Sequence, residues 1–308
     1  ILTAAKLQAD FLAISFPRNA QDIHHARRLA EQAGCHAHLV AKIERAEVVA
    51  NQESMDEVIQ ASDVIMVARG DLGVEIGDAR LSKIQKQLIK RAKALGKPVI
   101  TATQMLESMI DNPLPTRAEV MDIANAVLDG TDAIMLSAES AAGQYPVEAV
   151  EAMVRITQGV EEDITLSSDC WKNALQQGND IGKNFALSTM LCATQADNAL
   201  GVAILTKQGQ TPLLMSRCQS QTSIWALSDD PTLLRKLTLL RGVTPVFFAA
   251  KENTMTSLSQ QVANLLYSEA RRDDITSLLL AQFDSVEAIG NINRCELIRL
   301  LVTETVAA

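Results

Sequence analysis

The chain has 308 residues, enough for one large domain or two of ordinary size. Its hydrophobic share of 47% and charged share of 21% are those of a globular protein in water, and with 3% aromatic residues its cores must be aliphatic. A net charge of −9 without a basic tract excludes a nucleic-acid-coating or polybasic membrane surface. No apolar run approaches the ~20 residues of a bilayer span, and no charged-then-apolar leader opens the sequence, so a cytoplasmic protein is expected.

In chain order, short apolar strands read at 10–16 (DFLAISF), 38–44 (HLVAKIE), 63–69 (DVIMVAR), 97–103 (KPVITAT) and 132–138 (DAIMLSA). Helical patterns follow them at 20–34, 47–62, 80–96, 117–130 and 146–163. Strand and helix alternating every ~25–35 residues predict βα units on a parallel sheet, with strands apolar on both faces because both faces are covered. Thr116 with Glu119 three residues on reads as a capping box, and Gly96 and Gly130 read as helix ends.

Near 163 the period is lost. The polar stretch DITLSSDCWKNALQQGNDIG predicts a boundary between a first domain, 1–163, and a second, 164–308. The second half resumes with a helix near 184–196 and strands near 200–206, 222–227, 243–248, 274–281 and 296–302, a smaller α/β sandwich.

Cys35, Cys170, Cys192, Cys218 and Cys295 are odd in number, scattered and never in a C-x-x-C pair, as reduced thiols would be. His24, His25, His36 and His38 all precede residue 39 and form no H-E-x-x-H motif, which argues against a zinc site or a serine–histidine triad.

The predicted strands of the first half share a feature: each ends in polar groups. These are Ser15 with Arg18, Lys42 with Glu44, Arg69 with Asp71, Thr103 with Gln104, and Ser137 with Glu139. In a parallel sheet these ends lie on one side, the side where (β/α) barrels carry their chemistry. Lys42 and Glu44, two residues apart, leave the same side of their strand. With Asp71 from the next strand they offer a site for a hard cation and an anionic substrate. The backbone N–H groups around Gly70 and Asp71 could hold a carboxylate or phosphate. Singly, Asp71 reads equally as a helix cap, Lys42–Glu44 as a surface ion pair and Thr103 as a strand-end hydroxyl. Neither a Walker A motif nor G-x-G-x-x-G is present.

The segments AKIERAE (41–47), IMVARGDLGVEI (65–76), ITATQMLESM (100–109) and NPLPTRAEVMDIANAVLDGTDAIMLSAESAAGQYP (112–146) closely resemble pyruvate kinase, and SFPRNAQDI (15–23) looks like the same family's serine-bearing strand. The resemblance is collinear over 10–160 and continues more weakly through RGVTPVF (241–247) and FDSVEAIGNINRCELIRL (283–300). It implies phosphoryl transfer from phosphoenolpyruvate to ADP, giving pyruvate and ATP. By the resemblance, Lys42 is the catalytic lysine, Glu44 and Asp71 ligate Mg²⁺ or Mn²⁺, and Gly70 and Asp71 hold the substrate carboxylate. Thr103 stands where the enolate is protonated, and Ser15 supports the lysine. The resemblance further implies a cytoplasmic homo-oligomer, usually a tetramer, with contacts through the helix at 117–130 and the C-terminal domain.

Against the family pattern, five βα units predict a partial (β/α)8 barrel, its last five units, followed by the smaller α/β domain. The first three strands, a lid domain and most K⁺ ligands are then expected in a segment not among these residues. In the second domain LTKQGQTP (205–212) occupies the place of the family's effector loop for a sugar-phosphate or nucleotide. Thr206, Lys207, Gly209 and Thr211 fit that role. Gln208 and Gln210 stand where serine and arginine are expected, and Phe283 where glycine is usual. A Mg²⁺-dependent pyruvate or phosphoenolpyruvate aldolase on a related barrel, and a non-catalytic assembly or regulatory subunit, are the competing readings.

Overall fold

Contacts gather the chain into two units, Ile1–Ile164 and Thr165–Ala308. The structure, a computed structural model, describes residues 1–162, 181–195, 200–218, 220–250, 257–270, 277–282 and 294–299. Residues 163–180 of the polar stretch expected to separate the domains, Phe283, and residues 290–293 lie outside the described residues.

The first unit opens with a short helix α1 (Leu2–Lys6) and then alternates strand and helix. The order is β1 (Phe11–Ile14), α2 (Ala20–Gln32), β2 (His38–Ile43), α3 (Gln52–Ala61), β3 (Val64–Ala68), α4 (Arg69–Ile76), α5 (Asp78–Ala94), β4 (Val99–Ala102), α6 (Arg117–Asp129), β5 (Ala133–Met135), α7 (Ala138–Ala141) and α8 (Pro146–Glu161). The strands pair in chain order, all parallel, with Lys42 beside Met66, Met66 beside Ile100 and Ile100 beside Ala133. Among the described residues β1 and β5 are the edges of this sheet. Its central strand, Val64 to Ala68, is buried at every position, as its unbroken apolar run requires. Aliphatic side chains from α2, α3 and α5 cover the sheet, among them Ile23, Ile59, Leu88 and Ile89, each fully buried.

The end signals fall where the sequence places them. Thr116 accepts from the Glu119 N–H while Glu119 reaches back to the Thr116 N–H, closing the capping box, and Gly130 ends α6 at φ +91°. Two boundaries differ from expectation. Helix α3 begins at Gln52 rather than 47, because Asn51 caps it by accepting from the Ser54 N–H and the preceding residues form turns. Helix α4 starts directly from the strand with no side-chain cap, so Asp71, readable from the sequence as a helix cap, lies instead within the first turn, and the helix carries two glycines, a composition that does not favour helix.

The second unit holds a five-stranded mixed sheet in the order β10-β9-β6-β7-β8. Here β6 is Leu200–Leu205, β7 Ile224–Ser228, β8 Val243–Phe247, β9 Ser277–Gln282 and β10 Arg294–Arg299. The β9–β10 pair is antiparallel and the others parallel. The helix Ile181–Gln195 packs on this sheet through Ala186, Leu187 and Met190. In β6, Gly201 lies under Trp225: a Cβ there would come within 2.2 Å of the indole, so the buried ring requires glycine.

Candidate active site

At the C-terminal end of β2 the chain places a carboxylate where water cannot reach it. Glu44 is fully buried, and its Oε2 accepts the Phe16 N–H at 2.6 Å. Phe16 can donate there because it takes a left-handed backbone, φ +53°, just past β1. The other oxygen, Oε1, lies 2.6 Å from Lys42 Nζ but off the line of a hydrogen bond, and among the described residues no hydrogen-bond donor reaches it. Lys42 Nζ donates in turn to Ser15 Oγ at 3.2 Å. Ser15, Lys42 and Glu44 are thus brought together from the ends of two neighbouring strands, as the sequence predicts. A buried carboxylate oxygen with lone pairs to spare fits a hard divalent cation.

A second group sits at the ends of β3 and β4. Thr103 Oγ1 accepts the Gly70 N–H at 2.8 Å and donates to the Ala102 carbonyl at 2.6 Å. Gly70 and Thr103 therefore meet, but the Gly70 N–H is given to Thr103, so holding a substrate carboxylate with it requires that bond to be exchanged. Asp71 lies exposed in the first turn of α4, where the free N–H groups of the helix favour a carboxylate. Among the described residues no hydrogen bond or ion pair joins Asp71, Gly70 or Thr103 to the Ser15–Lys42–Glu44 group. The link runs instead through Arg45, which follows Glu44. Its guanidinium meets Glu75 of α4 at 3.5 Å and Glu47 at 3.1 Å, and Glu75 also accepts the Ala46 N–H at 3.2 Å. The hydrogen bond that Arg45 donates to Glu47, with the charges of Glu47 and Glu75, holds the Arg45 pKa above its usual value.

Arg69, paired with Asp71 in the sequence reading as a strand-end group, does something else. It is 5% exposed and turned inward. Its Nε and Nη2 both donate to the Thr103 carbonyl, at 3.1 and 2.6 Å, Nη2 also to the Gln104 carbonyl at 2.9 Å, and Nη1 pairs with Asp122 at 2.5 Å. Thr103 and Gln104 both have left-handed backbones, φ +67° and +54°, which non-glycine residues rarely adopt. Arg69 fixes that strained turn and with it the Thr103 hydroxyl. The acceptors lie 34 and 35 residues away, so only the oddity of a charge closing a buried strand pointed to it.

Two other strand-end residues, Arg18 and Glu139, have structural partners. Arg18 leaves the strand end and pairs with Asp22 in the first turn of α2. Glu139 is 2% exposed and accepts from the Ser137 and Leu106 N–H groups. In the second unit, Thr206 Oγ1 accepts the Gly209 N–H at 2.9 Å, Gly209 has φ +76°, and a Cβ on it would meet Leu237 at 2.9 Å. Thr206 and Thr211 are buried, leaving Lys207 exposed beside a turn whose residues satisfy one another. Among the described residues no three His, Cys, Asp or Glu side chains converge as a metal cluster, and no helix is long and apolar enough to cross a membrane.

Comparison with known proteins decides which family carries these strand ends. Residues 1–150 match the family model "Pyruvate kinase, barrel domain", and residues 184–286 match "Pyruvate kinase, alpha/beta domain". The chain belongs to the pyruvate kinase family. It is 53% identical over 254 residues to "Pyruvate kinase" of Haemophilus influenzae, an alignment covering 82% of this chain and 53% of that protein. It is 48% identical over 293 residues to "Pyruvate kinase II" of Salmonella typhimurium, covering 95% of this chain and 61% of that one. Among solved structures, a pyruvate kinase from Cryptosporidium parvum superposes with a TM-score of 0.84 at 32% identity, over 97% of this chain and 60% of that chain. The chain thus spans between half and two thirds of the length of these pyruvate kinases.

Proposed function

We propose that this chain carries the strand-end chemistry of phosphoryl transfer from phosphoenolpyruvate to ADP. The P–O bond to the enolate breaks, a P–O bond to the terminal ADP oxygen forms, and the enolate takes a proton at its methylene carbon to become pyruvate. The observation that carries this reading is Glu44, fully buried at the end of β2, with one oxygen lacking a hydrogen-bond donor and the Lys42 ammonium beside it. Phosphoryl transfer asks a protein mainly for positioning and for charge opposite the moving phosphoryl group.

Lys42 supplies that charge. Its ammonium is held between Glu44 and Ser15 and is 26% exposed, so it is aimed yet reachable by an anionic substrate. Glu44 and Asp71 would hold Mg²⁺ or Mn²⁺, which would supply positive charge against the substrate's anionic oxygens. K⁺ is expected to accompany it through ligands outside these residues. The Asp71 N–H, and Gly70 once released from Thr103, would hold the substrate carboxylate. The Thr103 hydroxyl donates its hydrogen bond to the Ala102 carbonyl, which favours Thr103 ordering a water as proton source over direct delivery. The matches to both family domains give no support to the aldolase reading. The parallel sheet in chain order is proposed to be part of a (β/α)8 barrel, and the protein to be a cytoplasmic homo-oligomer, a tetramer. The Thr206–Thr211 turn is the weakest candidate for an effector site, since its own residues account for it.

The test is pyruvate formation by the 308-residue chain from phosphoenolpyruvate and ADP with Mg²⁺ and K⁺, alongside Lys42→Ala, with Mn²⁺ binding followed by electron paramagnetic resonance. Turnover lost in Lys42→Ala, with Mn²⁺ binding lost in Glu44→Gln, is the expected result. Equal pyruvate formation in both chains, or a chain that neither turns over nor binds Mn²⁺, overturns the reading.

A further inference from the structure

Away from the strand ends, helices α3 and α5 leave between them a cleft of about 530 Å³, within the range of small-molecule sites, roughly 300–1,000 Å³. Its charge is one-sided. Arg80, Lys83, Lys90 and Arg91 of α5 line it, spaced to share one helix face, and among the described residues no aspartate or glutamate does. Arg91 is already engaged by Asp56, with Nε–Oδ1 at 2.8 Å and Nη2–Oδ2 at 2.5 Å. Among the described residues Arg80, Lys83 and Lys90 form no ion pair. Three uncompensated cations over one concavity stand out on a chain whose net charge is −9.

The floor is different in kind. Val49, Met55 and Ile84, each 4–5% exposed, form an apolar base beneath the cationic rim. A lysine face of a surface helix is ordinarily convex and solvated. Here the cations line a hollow along one helix face, where a multiply charged anion can meet more than one of them and loses part of its competing water.

We propose that this cleft binds a small organophosphate, its phosphate held by Arg80, Lys83 and Lys90 and its carbon body lying on Val49, Met55 and Ile84. A phosphate dianion matches three cations better than a single carboxylate does, and the volume admits a metabolite but not a macromolecular segment. The inference does not rest on the function proposed above, because none of these residues belongs to the strand-end groups.

The test is calorimetric titration of the full 308-residue chain, without divalent metal, using phenyl phosphate and inorganic phosphate as probes. Phenyl phosphate is expected to bind more tightly than inorganic phosphate, because only it covers the apolar floor. Lys83→Glu with Lys90→Glu is expected to weaken phenyl phosphate about tenfold or more, whereas Lys42→Ala and Lys207→Ala leave its affinity unchanged. Both charge reversals fall on exposed side chains, and an unchanged unfolding midpoint would verify the fold. No phenyl phosphate binding, equal affinity for the two probes, or affinity that survives the double reversal overturns the proposal.

Discussion

At the scale of single residues, the site is built around backbone that ordinary side chains avoid. Phe16, Thr103 and Gln104 all take left-handed conformations just beyond strands β1 and β4. Such strain amounts to about 1–3 kcal/mol per residue and persists only where neighbours over-determine it. Glu44 holds Phe16 through its N–H, while Arg69 holds Thr103 and Gln104 through their carbonyls. Arg69→Met should therefore act in two ways. It leaves the Thr103 and Gln104 carbonyls without their donor, and it frees the turn to relax, which moves the Thr103 hydroxyl off the Gly70 N–H. We expect a loss of about 2–4 kcal/mol in urea unfolding. Arg69→Lys should restore little of it, because one ammonium cannot reproduce a fork that meets two carbonyls and Asp122 together. Full recovery in the lysine variant would mean that charge alone, and not the fork, holds the turn.

At the scale of elements, one carboxylate ties three of them together. Asp63, at the start of β3, accepts the Leu39 N–H of β2 at 2.8 Å and Arg27 of α2 at 3.1 Å, while Arg27 also donates to the Ala61 carbonyl ending α3. Burial pushes the Asp63 pKa up, but the Leu39 N–H and Arg27 outweigh it and hold the carboxyl below its ordinary value. Unfolding restores the ordinary pKa, so in acid the unfolded chain binds the extra proton. The contribution is therefore full above the ordinary carboxylate pKa and is lost as pH falls through the lower, folded value. Asp63→Asn should be less stable than the parent near neutral pH by about 1–3 kcal/mol, and the gap should narrow on acidification. Unfolding curves against pH would show this, and a gap that stays constant or widens in acid would refute it. Elements like this one divide what a sequence discloses from what it hides. The apolar run of β3, the Thr116–Glu119 box and the Gly130 end could be read directly, because their causes are local. So could Lys42 with Glu44, two residues apart on one strand. Helix α4 could not, since its two glycines argue against helix and only the strand before it and α5 after it hold it in place. The helix Pro231–Leu237 was missed although Asp230 caps it and proline opens it, a signal that was there to be read. Arg69, Arg45 and Glu139 find their partners only after folding, which is why spacing alone misassigned or passed over them.

At the scale of the molecule, helices α6 and α8 are apolar on two sides, which a helix needing only one packed face does not require. Inward, Ile123, Ala126 and Val127 of α6 and Ala149, Ala152 and Ile156 of α8 are buried. Outward, α6 exposes Met121 and Leu128, and α8 exposes Val147, Val150 and Val154, between 46% and 64% exposed. Each outer set recurs at helical spacing, so each forms a stripe of its own. Apolar stripes of this kind favour burial against another surface. A second copy of the chain is the occupant that the proposed oligomer supplies. Each copy carries a net charge of −9, so association has to overcome mutual repulsion, and added salt should strengthen it by screening that charge. Met121→Glu with Val150→Glu should then abolish the association by placing carboxylates in the contact. Both side chains are solvent-exposed within one chain, so the fold of the first unit should survive. Sedimentation velocity across a salt series reads the outcome directly: a larger parent species, favoured by salt, and a monomeric variant. A parent that sediments as a monomer at every salt concentration, or a variant as large as the parent, would remove these stripes from any interface and leave their exposure without a cause.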